Sequence, residues 1–128
     1  MRYLLDTHLL LWAAGDPDRL STPARLIIES DDHELMFSSA SIWEVAIKSG
    51  LGRADFVVDP RALHSGLLKA GYEELPVLGL HAAVVTELPP HHKDPFDRLL
   101  VAQTSVEAVT LVTSDPLVAR YDGSIIRV

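Results

Sequence analysis

Five acidic residues stand where their type and spacing could do chemistry: Asp6, Glu44, Asp94, Asp97 and Asp115. Asp6 ends the run Arg2-Tyr3-Leu4-Leu5, and Asp115 follows Val109-Thr110-Leu111-Val112-Thr113, so both fall just past a short strand-like segment. Glu44 lies inside Ser41-Ile42-Trp43-Glu44-Val45-Ala46-Ile47-Lys48, whose apolar flanks put it at the rim of a core. Asp94 and Asp97 open the stretch Asp94-Pro95-Phe96-Asp97-Arg98-Leu99-Leu100-Val101-Ala102-Gln103. There Asp94 fits a helix N-cap, Pro95 the first helical position and Asp97 the third. Backbone N–H groups and the helix dipole favour negative charge at such a place.

Carboxylates that converge need a counter-charge. Two of them about 5 Å apart repel by roughly 3 kcal/mol at an effective dielectric near 20. Four together would cost on the order of 10 kcal/mol, comparable with the whole net stability of a small domain. Protons or a divalent cation must then be bound. The chain has no cysteine, and oxygen donors favour Mg2+ or Mn2+ over zinc. Each acid also has a plainer use. Asp6, Asp94 and Asp115 can cap helices, Ser41 and Glu44 can form a capping box, and Glu44 can pair with Lys48 one turn on. Capping does not by itself require acids at strand ends.

Other chemistries find less support. The six histidines, His8, His33, His64, His81, His91 and His92, show no metal-binding spacing. His91-His92 read as a solvated loop within reach of Asp94. Ser38-Ser39 lack the nucleophile-elbow context of a serine hydrolase, and no phosphate-cradling glycine motif occurs. Lys48, Arg53, Lys93, Arg98 and Arg120 read as scattered surface charge near the acids, placed to contact phosphate.

The elements that must position the acids alternate. Strands are expected at 2–5, 34–37, 73–76 (a short edge), 109–113 and 124–128. Helices are expected at 8–14, 22–29, from Ser38, Ser39 or Ser41 to Lys48, 60–70, 78–87, 94–108 and 117–120. Thr22-Pro23, Asp59-Pro60 and Asp94-Pro95 mark starts, while Gly15, Gly50 and Gly71 mark stops. This alternation predicts an α/β fold, a mainly parallel sheet between helices on both faces, with sites outside the carboxyl ends of the strands. The length of 128 residues suits one domain over 1–128. Acid at position 6 comes too early for a signal peptide, and no apolar run approaches the roughly 20 residues of a membrane span. A cytoplasmic protein without membrane contact is expected. The net charge of −7 argues against a generic nucleic-acid binder. It leaves open an enzyme whose bound cation attracts phosphate.

Taken together, Leu4-Leu5-Asp6-Thr7, the serine-to-Glu44 helix, Asp94–Gln103 and Thr113-Ser114-Asp115 resemble the PIN-domain family. More narrowly they resemble the VapC-type toxins of type II toxin–antitoxin pairs, over about Arg2 to Arg127. The resemblance implies a three-layer α/β/α sandwich and a Mg2+- or Mn2+-dependent endoribonuclease. It also implies a homodimer inhibited by a cognate VapB-like antitoxin. By position, Asp6 and Asp97 match the main metal ligands, and Glu44 and Asp115 match supporting ones. Asp94, Thr7 and Ser114 match accessory positions. Two rival readings are a PIN-like module that binds RNA or a partner without cutting, and a metal-dependent phosphoesterase with another substrate. Apolar residues of the first helix (Leu9, Leu10, Leu11, Trp12) and of the Leu63–Leu68 segment supply either core or a partner surface.

Overall fold

The computed structural model describes residues 1–52 and 56–128; Arg53 lies outside the described residues. Five strands form one parallel sheet: β1 (Arg2–Leu5), β2 (Glu34–Ser38), β3 (Glu73–Leu75), β4 (Thr110–Thr113) and β5 (Ile125–Arg127), in the order β3-β2-β1-β4-β5. Six α-helices occur among the described residues: α1 (Thr7–Gly15), α2 (Thr22–Glu29), α3 (Ser39–Gly50), α4 (Pro60–Lys69), α5 (Gly79–Val84) and α6 (Pro95–Glu107). None is long and apolar enough to cross a membrane.

The period of two along each strand divides the core between the faces of the sheet. Tyr3, Leu5, Phe37 and Val112 face one side, where they meet Leu9 and Leu10 of α1, Val45 of α3 and Leu63 and Leu67 of α4. Leu4, Met36, Leu75 and Leu111 face the other, against Leu100 and Val101 of α6 together with Val118 and Tyr121. The result is the expected three-layer α/β/α sandwich. Most apolar residues of α1 and α4 are therefore core. Leu68 stays exposed, as do Trp43 on α3 and Leu80 on α5.

β1 is central. It pairs with β2 (Tyr3↔Leu35) on one side and with β4 (Leu4↔Leu111) on the other. The chain winds outward from β1 through β2 to β3, then crosses back to β4 on the opposite side. The reversal leaves a crevice beyond the carboxyl ends of β1 and β4, the usual place for a site in an open parallel sheet.

Local chemistry explains most element boundaries. Asp6, Ser21, Ser38, Asp59 and Asp94 each cap the following helix with a side-chain oxygen. Ser38 is the cap of α3, so Ser41 sits inside the helix and the Ser41–Glu44 capping box is not formed. The segment expected as one helix over 78–87 is α5 followed by a 3₁₀ turn at Val85–Glu87. Helix α6 stops at Glu107 because Ala108 turns left-handed at φ 54°. Glycine favours that conformation and alanine does not, so composition carries no stop signal there.

Candidate metal centre

Asp6 directly follows β1, and only 3% of it is exposed. Its Oδ1 accepts from Leu9 N at 2.9 Å, capping α1. Its Oδ2 accepts from the Thr113 hydroxyl at 2.6 Å and from Ser114 N at 3.3 Å, both at the end of β4. Burial pushes the Asp6 carboxyl above its ordinary range, and those hydrogen bonds and the neighbouring His8 offset part of the rise.

Glu44 projects from the second turn of α3 and is likewise only 3% exposed, deeper than the core rim expected of it. The Thr7 hydroxyl, at the start of α1, donates to Glu44 Oε1 at 2.7 Å and lies 2.9 Å from Ser41 Oγ. Lys48 pairs with the other Glu44 oxygen one turn along the helix. The anticipated ion pair is therefore present, and it holds a buried carboxylate instead of decorating a surface.

Asp94 and Asp97 take the positions their spacing suggests. Asp94 Oδ1 accepts from Phe96 N at 2.8 Å and Asp97 N at 3.3 Å, so the Asp94 carboxylate serves the first turn of α6. The Asp97 side chain is left to point into the crevice and is 20% exposed. Its carboxyl is pushed up to about 7 by burial first, then by the charges of Asp94 and Glu44 and more weakly by Asp6, with His92 opposing. Burial is the larger cause, and the neighbouring carboxylates add repulsion to it.

Asp115 follows β4 across the crevice. Its Oδ1 accepts from Leu117 N at 2.8 Å, and its Oδ2 lies 2.9 Å from His92 Nε2. Burial raises the Asp115 carboxyl, but hydrogen bonds from His92 and from the Leu117 and Val118 N–H groups outweigh it and hold Asp115 below the ordinary range. Its own N–H donates to Thr113 Oγ1 at 3.0 Å, so one hydroxyl links Asp115 to Asp6.

Hydrogen bonds thus link Asp6 to Asp115 through Thr113, Thr7 next to Asp6 holds Glu44, and His92 lies between Asp97 and Asp115. Among the described residues the one group of three donors within 4.8 Å of one another is His92, Asp97 and Asp115, without Asp6 or Glu44. Two contributors escaped sequence reasoning. Thr113, not the Ser114 side chain, supplies the hydroxyl that holds Asp6; Ser114 contributes its backbone N–H. His92 is not a solvated loop residue. Its imidazole is 15% exposed and its Nε2 reaches Asp97 Oδ2 at 3.3 Å as well as Asp115. The run of small polar residues Thr113-Ser114 before Asp115, at the carboxyl end of β4, could have drawn attention to Thr113. Nothing local distinguishes His92 from His91, which packs edge-on against Tyr121 instead.

A family model for the PIN domain matches residues 3–124. The chain belongs to the PIN-domain family. Comparison with curated proteins finds no match. Among solved structures, this PIN domain is similar to a chain in the crystal structure of VapBC2 from Rickettsia felis bound to a DNA fragment from their promoter. The TM-score is 0.70 at 18% identity, over 99% of this chain and 98% of that one. The likeness extends the family's fold to the full described length.

One basic residue of the PIN domain has a different task from the one its position suggested. Arg98 does not reach for solvent phosphate. Its guanidinium donates to the carbonyls of Val85 (3.1 Å), Leu88 (3.4 Å) and Pro89 (3.1 Å) and to the Tyr121 hydroxyl (3.2 Å). It thereby pins the loop that delivers His92. Arg98→Ala leaves several carbonyls without a donor and is expected to lower stability by roughly 1–3 kcal/mol. Denaturant unfolding at neutral pH measures this.

Proposed function

We propose that this PIN domain is a divalent-cation-dependent endoribonuclease, the toxin of a type II toxin–antitoxin pair. What supports the reading is that Asp97, with its carboxyl raised to about 7 by burial and then by the charges of Asp94, Glu44 and Asp6, lies beside Asp115, while Thr113 links Asp115 to Asp6. The donor set fits a hard cation. It is rich in carboxylate oxygen, contains no thiolate, and carries repulsion that a cation would relieve. Asp6 and Asp97 are the main ligands in this reading, with Glu44 and Asp115 supporting, directly or through water.

A bound Mg2+ or Mn2+ supplies an activated water at neutral pH and offsets charge developing on the scissile phosphate. The chain's own residues prepare the site. Thr113 and Ser114 N hold one Asp6 oxygen while Leu9 N holds the other, so Asp6 has no freedom to turn away. Thr7 and Lys48 hold Glu44 in the same way. With its carboxyl raised to about 7, Asp97 would hold a proton below that pH and would give it up to a cation bound there. Apparent cation affinity should therefore weaken as pH falls below about 7, by up to about tenfold per unit, with proton release on binding. Calorimetry at pH 6 and pH 8 in buffers of different ionisation enthalpy measures both.

The partner assignment rests on the likeness to a chain of a toxin–antitoxin complex and on the exposed apolar residues Trp43, Leu68 and Leu80. The net charge of −7 suits a basic antitoxin. A homodimer and a cytoplasmic site of action complete the proposal. The deciding experiment incubates the protein with single-stranded RNA and DNA in Mg2+, in Mn2+ and in EDTA. Cleavage of RNA that stops in EDTA and returns with Mg2+ is expected. RNA binding without product would favour the non-catalytic module, and preferential DNA cleavage would favour the phosphoesterase.

A further inference from the structure

His92, Asp97 and Asp115 offer one donor atom each, all within 4.8 Å of one another. The trio has the outline of a ligand set. Adjacent ligand atoms on an octahedral ion bonded at about 2.1 Å lie about 3 Å apart. The His92 Nε2 separations from Asp115 and Asp97, 2.9 and 3.3 Å, are of that size. Distance alone does not separate a ligating nitrogen from one that donates a hydrogen bond.

The other ring nitrogen decides. The backbone N–H of Asp94 donates to His92 Nδ1 at 2.9 Å. That bond requires a lone pair on Nδ1, and a neutral imidazole carries one lone pair and one N–H. The proton therefore sits on Nε2, aimed at Asp115, with the Asp97 carboxylate 3.3 Å away beside it. Ligation through Nε2 would move it to Nδ1, where it would meet the Asp94 N–H donor against donor. Neither side can easily yield. Asp94 is held as the cap of α6, and His92 N donates to the Tyr121 hydroxyl at 3.0 Å within the loop that Arg98 clamps.

We propose that His92 is a positioning residue, a tautomer-locked Nε2–H donor that aims Asp115 beside Asp97, and not a ligand of the cation. This rests on the reading of the acids as a cation site. It makes the protein's ligand set entirely oxygen, with the imidazole orienting it from outside. Outer partners of this kind typically change affinity by about 10–100-fold when removed.

The test uses the full chain with 15N-labelled histidine at pH 7.5, without and with MgCl2. Long-range 1H–15N correlation reads the tautomer, and His92→Gln assigns the signal. The Nε2–H pattern is expected in both conditions. An Nδ1–H pattern, or loss of the Nε2 proton as Mg2+ binds, overturns the proposal while leaving the cation site intact. Mg2+ affinity by calorimetry supplies a second readout. His92→Gln keeps a donor near the Nε2 position and should stay within about threefold of wild type, whereas His92→Ala should lose about 10–100-fold. Equal losses in the two variants also overturn it. If Mg2+ binds to none of the proteins, the cation-site reading fails, and the tautomer of the free protein still decides the donor assignment.

Discussion

Asp97→Asn is expected to abolish cation-dependent RNA cleavage and, in the same molecule, to stabilise the cation-free protein at neutral pH. Both effects have one source. Asp97 sits in a crevice where burial, Asp94, Glu44 and Asp6 all disfavour its charge, which moves its carboxyl from 3.8 to about 7. The sign follows from proton linkage. An acid whose folded value is raised binds its proton more tightly in the folded state, so rising pH destabilises the fold. The loss begins near pH 4, where the unfolded chain ionises, and is complete somewhat above pH 7. At about 1.4 kcal/mol per unit, the full penalty is roughly 4 kcal/mol. Asparagine keeps the shape and carries no charge. At pH 7.5 a gain on the order of 2–4 kcal/mol is expected, a rise in thermal midpoint of roughly 10 °C. Below about pH 4 the two proteins should converge. Mg2+ at a hundredfold excess over Kd should stabilise the wild type by about 2.7 kcal/mol and raise its midpoint, and should leave Asp97→Asn nearly unmoved. A midpoint that falls in Asp97→Asn at neutral pH would contradict the crowded-charge account.

At Asp6, charge and hydrogen bonding can be separated by two substitutions. Asp6→Asn keeps an oxygen for Leu9 N, and so keeps the cap of α1, but removes the charge. Its amide NH2 then takes the place of Oδ2 and no longer accepts from Thr113 or Ser114 N, so a loss of about 1 kcal/mol is expected, smaller than for alanine because the cap remains. Asp6→Ala removes the cap and leaves the Thr113 hydroxyl and Ser114 N–H without their acceptor. The cap is worth about 1 kcal/mol, and a buried unpaired donor costs about 1–3 kcal/mol. Because the substitution also removes a buried charge, a net loss of roughly 2–3 kcal/mol is expected. In activity the two should be alike. A cation contributes several kcal/mol of transition-state stabilisation, so if Asp6 is a main ligand, as proposed, its loss should slow cleavage by at least about 10²-fold in either variant. Unfolding curves and RNA cleavage rates on the same preparations test the contrast. Equal stability for Asn and Ala would mean that the hydrogen bonds at Asp6 carry little energy.

Asp94, Asp97 and Asp115 divide the labour among groups of one residue type. Asp94 and Asp97 lie within one helical turn, yet Asp94 is occupied by backbone N–H groups and Asp97 is not. Asp97 and Asp115 both face His92, yet one carboxyl is raised and the other lowered. Local donors account for the difference. Asp115 accepts from Leu117 N and from His92, which outweigh its burial, whereas Asp97 faces acids with His92 as its one opposing neighbour. The strain is concentrated on the residue that the family resemblance names as a ligand, which is where a cation relieves most.

Most elements, and where the acids fall along them, were legible in the sequence, though the expected helix over 78–87 ends in a 3₁₀ turn and that at 117–120 is a 3₁₀ turn alone. Asp94-Pro95 and Asp59-Pro60 start helices because a cap and its N–H partners are two or three residues apart. Val109–Thr113 is read as a strand from its β-branched content. Such signals are legible because the interactions behind them are short-range in the chain. Tertiary structure decided the rest. Glu44 is buried because α3 turns that face toward Thr7, 37 residues earlier. Thr113 holds Asp6 across 107 residues, and His92 reaches Asp115 across 23. These contacts exist because burying two apolar faces at once places β1 between β2 and β4, which brings the ends of β1 and β4 together. No property of a single segment encodes which strand will lie beside it; that is settled when all of them pack.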